Sequence, residues 1–447
     1  MDFGSYAKQS GAPELKQLPH FRINRLSSEG QGVVEKLKRE LWVHDALVGE
    51  ELTCSRVLRA GVHDVGKVID RFNHSPHRVQ PRCPVYDRCG GCTLQHMEHR
   101  RQIEHKQSVL LNALGDYGGL RPEQVCAPII AEPWSYRRRA RLGVKWVEAK
   151  HRVVVGFRER WNKRRIALSD TCEILAGNFG QYFEVLAKMI AELSIARMIP
   201  QIELAVADNA TALVFRVLKI PTSFDLEKLT EFGQTHGFSI YLQPSGLDSV
   251  APLSSETPEL IYRIDNGNIE IRFEPIDFIQ INADVNQQLV DRVLDLLDLD
   301  VSQWVLDLYC GIGNFSLPIA RRAKWVSAVE GSIDLVSRAS ENAKRNEILN
   351  VEFHSANLDS IPTCMEDWGY ADRVLLDPPR SGAHSVVEWL SRHRPPKIVY
   401  VACSPFTLAR DAQVLVEQGN YRLSSAGIAD MFPQTGHVES FALFERR

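Results

Sequence analysis

The spacing of apolar and polar positions changes rhythm along the chain. From His20 to Val68, short runs such as FRINRL, LWVHDAL, ELTCSRVL and VGKVIDRF alternate with glycine and charge, and SSEGQG makes a turn. This predicts the short antiparallel strands of a small barrel over 14–74. A helical pattern rich in Gln, Glu, Lys and Leu follows within 93–124, placed to pack on whatever domain comes later. The strand candidates RRARLGVKWV, HRVVVGFRE, TALVFRVLK and FSIYLQ, with a helical pattern around GQYFEVLAKMIAEL, make 75–272 a central α+β domain. From Phe273 the order becomes strand, loop, helix: WVLDLYCGIGN, KWVSAVEG, VEFHSANL, RVLLDPPR and KIVYVACSP. That rhythm predicts a doubly wound α/β domain over 273–447.

Composition narrows the class. A chain of 447 residues has room for two or three cores, and 44% hydrophobic with 24% charged residues excludes long disorder. The opening MDFGSYAKQSGAPELKQ lacks the basic start and apolar core of a leader, and no apolar run is long enough to cross a bilayer. We therefore expect a cytoplasmic protein without membrane association. Nothing calls for an obligate protein partner, so a monomer is expected. In that compartment the nine cysteines are free thiols, metal ligands or catalytic groups rather than a disulfide framework.

A formal net charge of −3 does not announce a nucleic-acid binder, but charge placement matters more than its sum. Tyr136 to Arg165 holds twelve Lys or Arg against two acids, Glu148 and Glu159, with Tyr136, Trp146, Phe157 and Trp161 interleaved. A solvated charged face is the plain alternative. Cations for phosphates and aromatic faces for unpaired bases favour an RNA surface, with Arg137, Arg138 and Arg139 as candidates.

Chemistry concentrates at the strand ends of the last domain. VLDLYCGIGNFSLPIA is an apolar strand containing Asp307, then a turn with Gly311 and Gly313, then a helix. It lacks the third glycine of a dinucleotide site and the Lys of a phosphate loop. Glu330 of AVEG lies at the next strand tip, where a carboxylate suits a ribose diol. With Asn357 and Asp377 at later tips, the ordered set resembles the S-adenosylmethionine site of Rossmann-like methyltransferases. In LLDPPRSG, Arg380 stands where amino-methyltransferases carry an aromatic residue, which argues for another target atom.

Cys403 in VYVACSPFTLARD falls at a strand end, the edge where open α/β sheets bind ligands. A small buried thiol is the plain alternative. Carbon 5 of uracil, however, becomes nucleophilic only after a thiolate adds to carbon 6, and a base must then remove the carbon 5 proton. GHVESFALFER supplies Glu439 for that second role.

DFIQIN, LDLYCGIGNF, AVEG, LLDPPRSG, VYVACSPFTLARD and GHVESFALFER together resemble the successive motifs of the bacterial RNA uracil-C5 methyltransferases over nearly the whole chain. Within that family the likeness is greatest to the branch that forms 5-methyluridine in 23S ribosomal RNA and carries an iron-sulfur cluster. The resemblance implies an N-terminal TRAM domain, an OB-like barrel, and S-adenosylmethionine contacts from Gln280, Tyr309, Asn314, Glu330, Asn357 and Asp377. It also implies Cys403 as nucleophile, Glu439 as base and Phe278 as a stacking partner for the flipped uridine. Tyr309 replaces a common phenylalanine, keeping an aromatic wall.

Cys83, Cys89 and Cys92 are spaced C-x5-C-x2-C, with Cys172 as a distant fourth. Spacing alone leaves zinc and a [4Fe-4S] cluster open. The resemblance implies [4Fe-4S]. A transfer-RNA uracil methyltransferase is the rival, against which the four cysteines speak. A silent RNA-binding assembly factor would have no use for the nucleophile, base and methyl-donor set.

Overall fold

The computed structural model describes residues 20–35, 37–361, 365 and 368–447. The first part of the predicted barrel, 14–19, and Cys364 lie outside them.

Residues 21–71 form a six-stranded sheet in which Glu51–Ala60 and His63–Arg71 are the long central pair. Its two edge strands, Phe21–Arg22 and Arg25–Leu26, are consecutive in the chain. A two-residue connection reaches only about 10 Å, so the sheet curls back on itself. Ile23, Val34, Leu41, Val43, Leu52 and Cys54 fill its interior.

Where the chain leaves this sheet, Arg78 donates to Glu50 at 2.5 and 2.9 Å and to Asp45 at 2.8 Å, with Arg71 adding a further bond to Glu50 at 3.2 Å. Burial alone would raise the Glu50 carboxyl, but the hydrogen bonds and charge of Arg78 hold it below its ordinary value. A depressed folded pKa means that this stability is present above the unfolded carboxylate pKa and lost as pH falls through the folded one. Glu50 is fully buried. Arg78→Met therefore costs about 3 kcal/mol in urea unfolding at neutral pH, because it strands a buried charge. The difference from wild type shrinks below about pH 4 as the carboxyls protonate.

The central six-stranded sheet runs in the order Ala251–Pro252, Phe238–Gln243, Thr211–Arg216, Gln201–Val206, Arg139–Val147 and Arg152–Gly156. The Phe183–Glu192 and Ser223–His236 helices contribute Leu186, Ile190 and Leu229 to its core.

The third sheet has eight strands in the order Val351–Ser355, Trp325–Glu330, Trp304–Leu308, Arg373–Leu376, Lys397–Ala402, Glu439–Arg446, Tyr421–Ala429 and Gln124–Val125. The first five are parallel; the inner four are mostly apolar and buried, as helices on both faces demand, and the edge strand Val351–Ser355 is more polar. Glu439–Arg446 is antiparallel to both of its neighbours. The His99–Asp116 helix, early in the chain, packs Leu110, Ala113 and Leu114 with Leu408, Ala412 and Leu415 of the Pro405–Glu417 helix. Gln124–Val125 then pairs with Tyr421–Ala429. This stretch of the second predicted domain is thus built into the third. No helix of the described residues is long and apolar enough to cross a membrane.

Candidate active site

The carboxyl ends of the parallel strands open into a cavity of about 610 Å³. Gln280, Tyr309, Asn314, Glu330, Asn357, Asp377, Cys403 and Glu439 all line it, with Phe278, 72% exposed, at its mouth.

At one end the chain leaves the Trp304–Leu308 strand through Tyr309, which takes a φ of +67°, uncommon without glycine. Two hydrogen bonds to the Val329 carbonyl, from Tyr309 N at 2.8 Å and Cys310 N at 3.0 Å, hold the turn there. Gly313 sits at φ +97°, a conformation that side chains rarely adopt, and a Cβ there would also crowd Leu317 at 3.2 Å. Glu330 accepts from Gly311 N at 3.2 Å and Ser332 N at 3.0 Å, which orients its carboxylate over the glycine turn. Asn314 Oδ1 accepts from the Tyr262 hydroxyl and from Asn286 Nδ2, and Asn314 Nδ2 donates to Asn286 Oδ1, which locks the side chain. Asp307 does not line the cavity. It is fully buried within its strand and accepts from the Ser316 hydroxyl, so the acidic residue of that motif supports the turn from behind.

At the other end strand register brings the reactive pair together. Ala402 is paired with Ser440 across the antiparallel ladder, and the same register carried one position further sets Cys403 opposite Glu439. Ser404 and Pro405 open the next helix, Ser404 Oγ accepting from Thr407 N at 3.4 Å, so the chain turns away sharply after Cys403. Burial, then the charges of Glu439 and Asp377, push the Cys403 thiol up to about 11, with Arg380 opposing. Burial and Asp377 raise Glu439 well above the usual carboxylate range, again against Arg380. Burial and Asp307 push Asp377 up to about 7. A cationic ligand beside these groups relieves all three.

Arg380, His437 and Phe432 line the same cavity and were not singled out as site residues in the sequence. Arg380 Nη2 lies 3.3 Å from His437 Nδ1. The arginine that breaks the amino-methyltransferase pattern was itself the available signal for Arg380.

Arg137, Arg138 and Arg139, the candidates for RNA contact, are only partly exposed and already have partners within the chain. Arg138 pairs with Asp208, and Arg139 pairs with Glu203 and donates to the Asp277 carbonyl, both side chains being less than one-fifth exposed. Arg137 donates to the Arg139 carbonyl at 2.9 Å and lies over the Phe157 ring. Their charges serve the fold, whereas Arg141, Lys145, Arg152 and Arg164 of the same stretch are exposed.

A second site lies apart. Cys83, Cys89, Cys92 and Cys172 ring one small cavity with Tyr86, Gln95 and Phe157. Arg160 ties the loop by donating to the Cys89 and Cys92 carbonyls, and Gln95 Oε1 accepts from Cys83 N at 3.0 Å. Burial pushes the Cys92 thiol up to about 12, and it raises Cys172 as well. Among the described residues no three His, Cys, Asp or Glu are gathered as a lone metal ion requires.

Comparison with known proteins agrees with this geometry. The family described as tRNA (Uracil-5-)-methyltransferase matches residues 101–447. The 23S rRNA (uracil(1939)-C(5))-methyltransferase RlmD of Alkalilimnicola ehrlichii is 44% identical over 427 residues, covering 95% of this chain and 96% of the relative. Its counterpart in Hahella chejuensis is 43% identical over 431 residues, with the same coverage. Among solved structures, Pyrococcus abyssi tRNA (uracil-54, C5)-methyltransferase in complex with S-adenosyl-L-homocysteine superposes with a TM-score of 0.74 at 26% identity, covering 95% of this chain and 99% of that one. With the family match spanning most of the chain and relatives this similar along nearly all of it, the chain belongs to the RNA uracil-C5 methyltransferases.

Proposed function

We propose that this protein methylates carbon 5 of a uridine in 23S ribosomal RNA with S-adenosyl-L-methionine as donor. The observation that carries the reading is the pairing of a thiol with a buried carboxyl, Cys403 with Glu439, beside Asp377 in a cavity that Glu330 and Asn357 also line. Kinship with enzymes named for uracil 1939 of 23S rRNA makes the equivalent uridine the proposed target.

The donor supplies an electrophilic methyl group. Glu330 is oriented toward a ribose diol, and Tyr309 walls the cavity beside it. A uridine turned out of its stack enters past Phe278, whose exposed ring offers a stacking face. The Cys403 sulfur adds to carbon 6 as a thiolate, the negative charge spreading toward the uracil oxygens and making carbon 5 nucleophilic. Arg380 is the cation nearest this negative charge among the lining residues. Once carbon 5 carries the methyl group, Glu439 takes its proton, the carbon 6 to sulfur bond breaks, and Cys403 is regenerated.

Digestion and mass spectrometry of 23S and transfer RNA, from cells with and without the protein, test the target. Loss of one 5-methyluridine from 23S RNA is expected. Loss from transfer RNA alone would overturn the target and keep the chemistry.

For the N-terminal sheet we propose a TRAM role in RNA contact, and for the four cysteines a [4Fe-4S] cluster. Support for the cluster lies in the donor set, four thiols around one cavity that Glu173 also borders. When bound it supplies a rigid cross-link between 83–92 and Cys172. Protein purified without air should contain about four iron and four sulfide per chain. Cys172→Ser should lose most of that iron, and unchanged iron in this variant would remove Cys172 from the ligand set.

A further inference from the structure

Between Tyr421–Ala429 and Glu439–Arg446 the chain makes an excursion that brings Phe432 and His437 to the cavity and ends on Glu439. Connections of this kind are ordinarily mobile surface loops. Here Asp430, Met431, Gln434 and Thr435 are buried, and beside a few local hydrogen bonds the segment makes many to residues far away in sequence.

Lys106 Nζ donates to Asp430 Oδ1 at 2.6 Å and to the Phe432 carbonyl at 2.9 Å. The Tyr136 hydroxyl donates to the Pro433 carbonyl at 2.9 Å. Thr93 N and Leu94 N both donate to the Gln434 carbonyl, at 2.8 and 2.9 Å. Gln102 donates to Gln434 Oε1 at 3.0 Å and accepts from Gln434 N at 3.1 Å. Gly436 N donates to Thr93 Oγ1 at 3.0 Å, and a Cβ on Gly436 would come within 2.5 Å of the Glu29 carbonyl. Gln434 itself sits at φ +65°, a conformation that persists only where its surroundings over-determine it. Thr93 directly follows Cys92.

We propose that Thr93 and Gln102 are positioning residues for methylation: through Gln434 and Gly436 they fix the 430–438 segment, and with it the placement of Phe432, His437 and Glu439. The cysteine-lined site then acts on the reaction mechanically, as the anchor of Thr93. The inference rests on Glu439 acting as the base that resolves the adduct. A base displaced by a fraction of an ångström slows the one step it serves, while donor binding at the far end of the cavity is untouched.

The test is single-turnover methylation by the full chain, stopped in detergent, with protein–RNA adduct and product followed on the same gel. Gln102→Leu removes the two side-chain ties to Gln434 and Thr93→Val the one to Gly436, each at nearly constant volume, while the backbone bonds of Thr93 and Leu94 to Gln434 remain. The adduct should persist about tenfold longer in Gln102→Leu, and measurably longer in Thr93→Val, with the affinity for S-adenosylmethionine within about twofold of wild type. A wild-type adduct lifetime in both variants, or a loss of product only in proportion to the unfolded fraction, overturns the inference. Thr93→Val keeps the question decidable if Gln102→Leu does not fold. Glu439→Gln is run alongside: if it holds an adduct and the others do not, positioning alone has failed, and if it holds none, the role of Glu439 has failed and the inference falls with it.

Discussion

Cys403→Ala should lower methyl transfer by at least about 10⁴-fold while S-adenosylmethionine binds as before. The asymmetry follows from the site. Carbon 5 of an intact uracil is too weak a nucleophile to react, so no slower route survives without the thiol, whereas the glycine turn and Glu330 lie at the other end of the cavity. Single-turnover methylation with labelled donor, paired with calorimetric titration of the donor, checks both halves. Methylation at even a hundredth of the wild-type rate would rule out covalent attack by Cys403. Because the free thiol is pushed up to about 11, kcat/KM of the wild type should climb with pH across the neutral range instead of levelling off there.

Glu439→Gln should behave in the opposite way, accumulating protein–RNA adduct instead of losing it. The amide keeps the shape of the carboxyl but cannot accept the carbon 5 proton, so attack and methyl transfer proceed and release stalls. Loss of a general base slows its step by about 10² to 10⁴-fold. The band should appear on a denaturing gel only with RNA, donor and an intact Cys403, and it should vanish in the Cys403→Ala, Glu439→Gln double variant. Normal turnover without any retained adduct would take the base role from Glu439. The substitution also removes a buried acid whose carboxyl Arg380 opposes, so thermal unfolding should shift little.

The parts of this site that were legible in the sequence are those where local chemistry is written in order along the chain. Strand, glycine turn, acidic tip and the loop around Cys403 each announce themselves within a few residues. The partnership of Cys403 with Glu439 could be argued only from what uracil chemistry requires, since the register that sets them opposite is a long-range fact. The partners of Arg138 and Arg139 were hidden for the same reason: Asp208 and Glu203 are more than sixty residues away. The Gln201–Val206 strand was passed over because its Glu203 interrupts the apolar run and points at those arginines. The Ser223–His236 helix was also missed, although Thr222 and Asp225 form a reciprocal capping box that could have been read from the chain. The amphipathic His99–Asp116 helix was visible, but periodicity shows that a helix buries one face and leaves open what covers it.

Glu439–Arg446 follows all the other described strands of its sheet in the chain yet is an interior member, flanked by Lys397–Ala402 on one side and Tyr421–Ala429 on the other. Tyr421–Ala429, and the early segment that docks on it, can join that sheet only after Glu439–Arg446 has left the translating ribosome. A nascent chain therefore carries its nucleophile without the neighbouring strand and without the acid that releases the product. For a protein proposed to work on ribosomal RNA, the reactive pair is therefore incomplete until the Glu439–Arg446 strand has taken its place between its two neighbours.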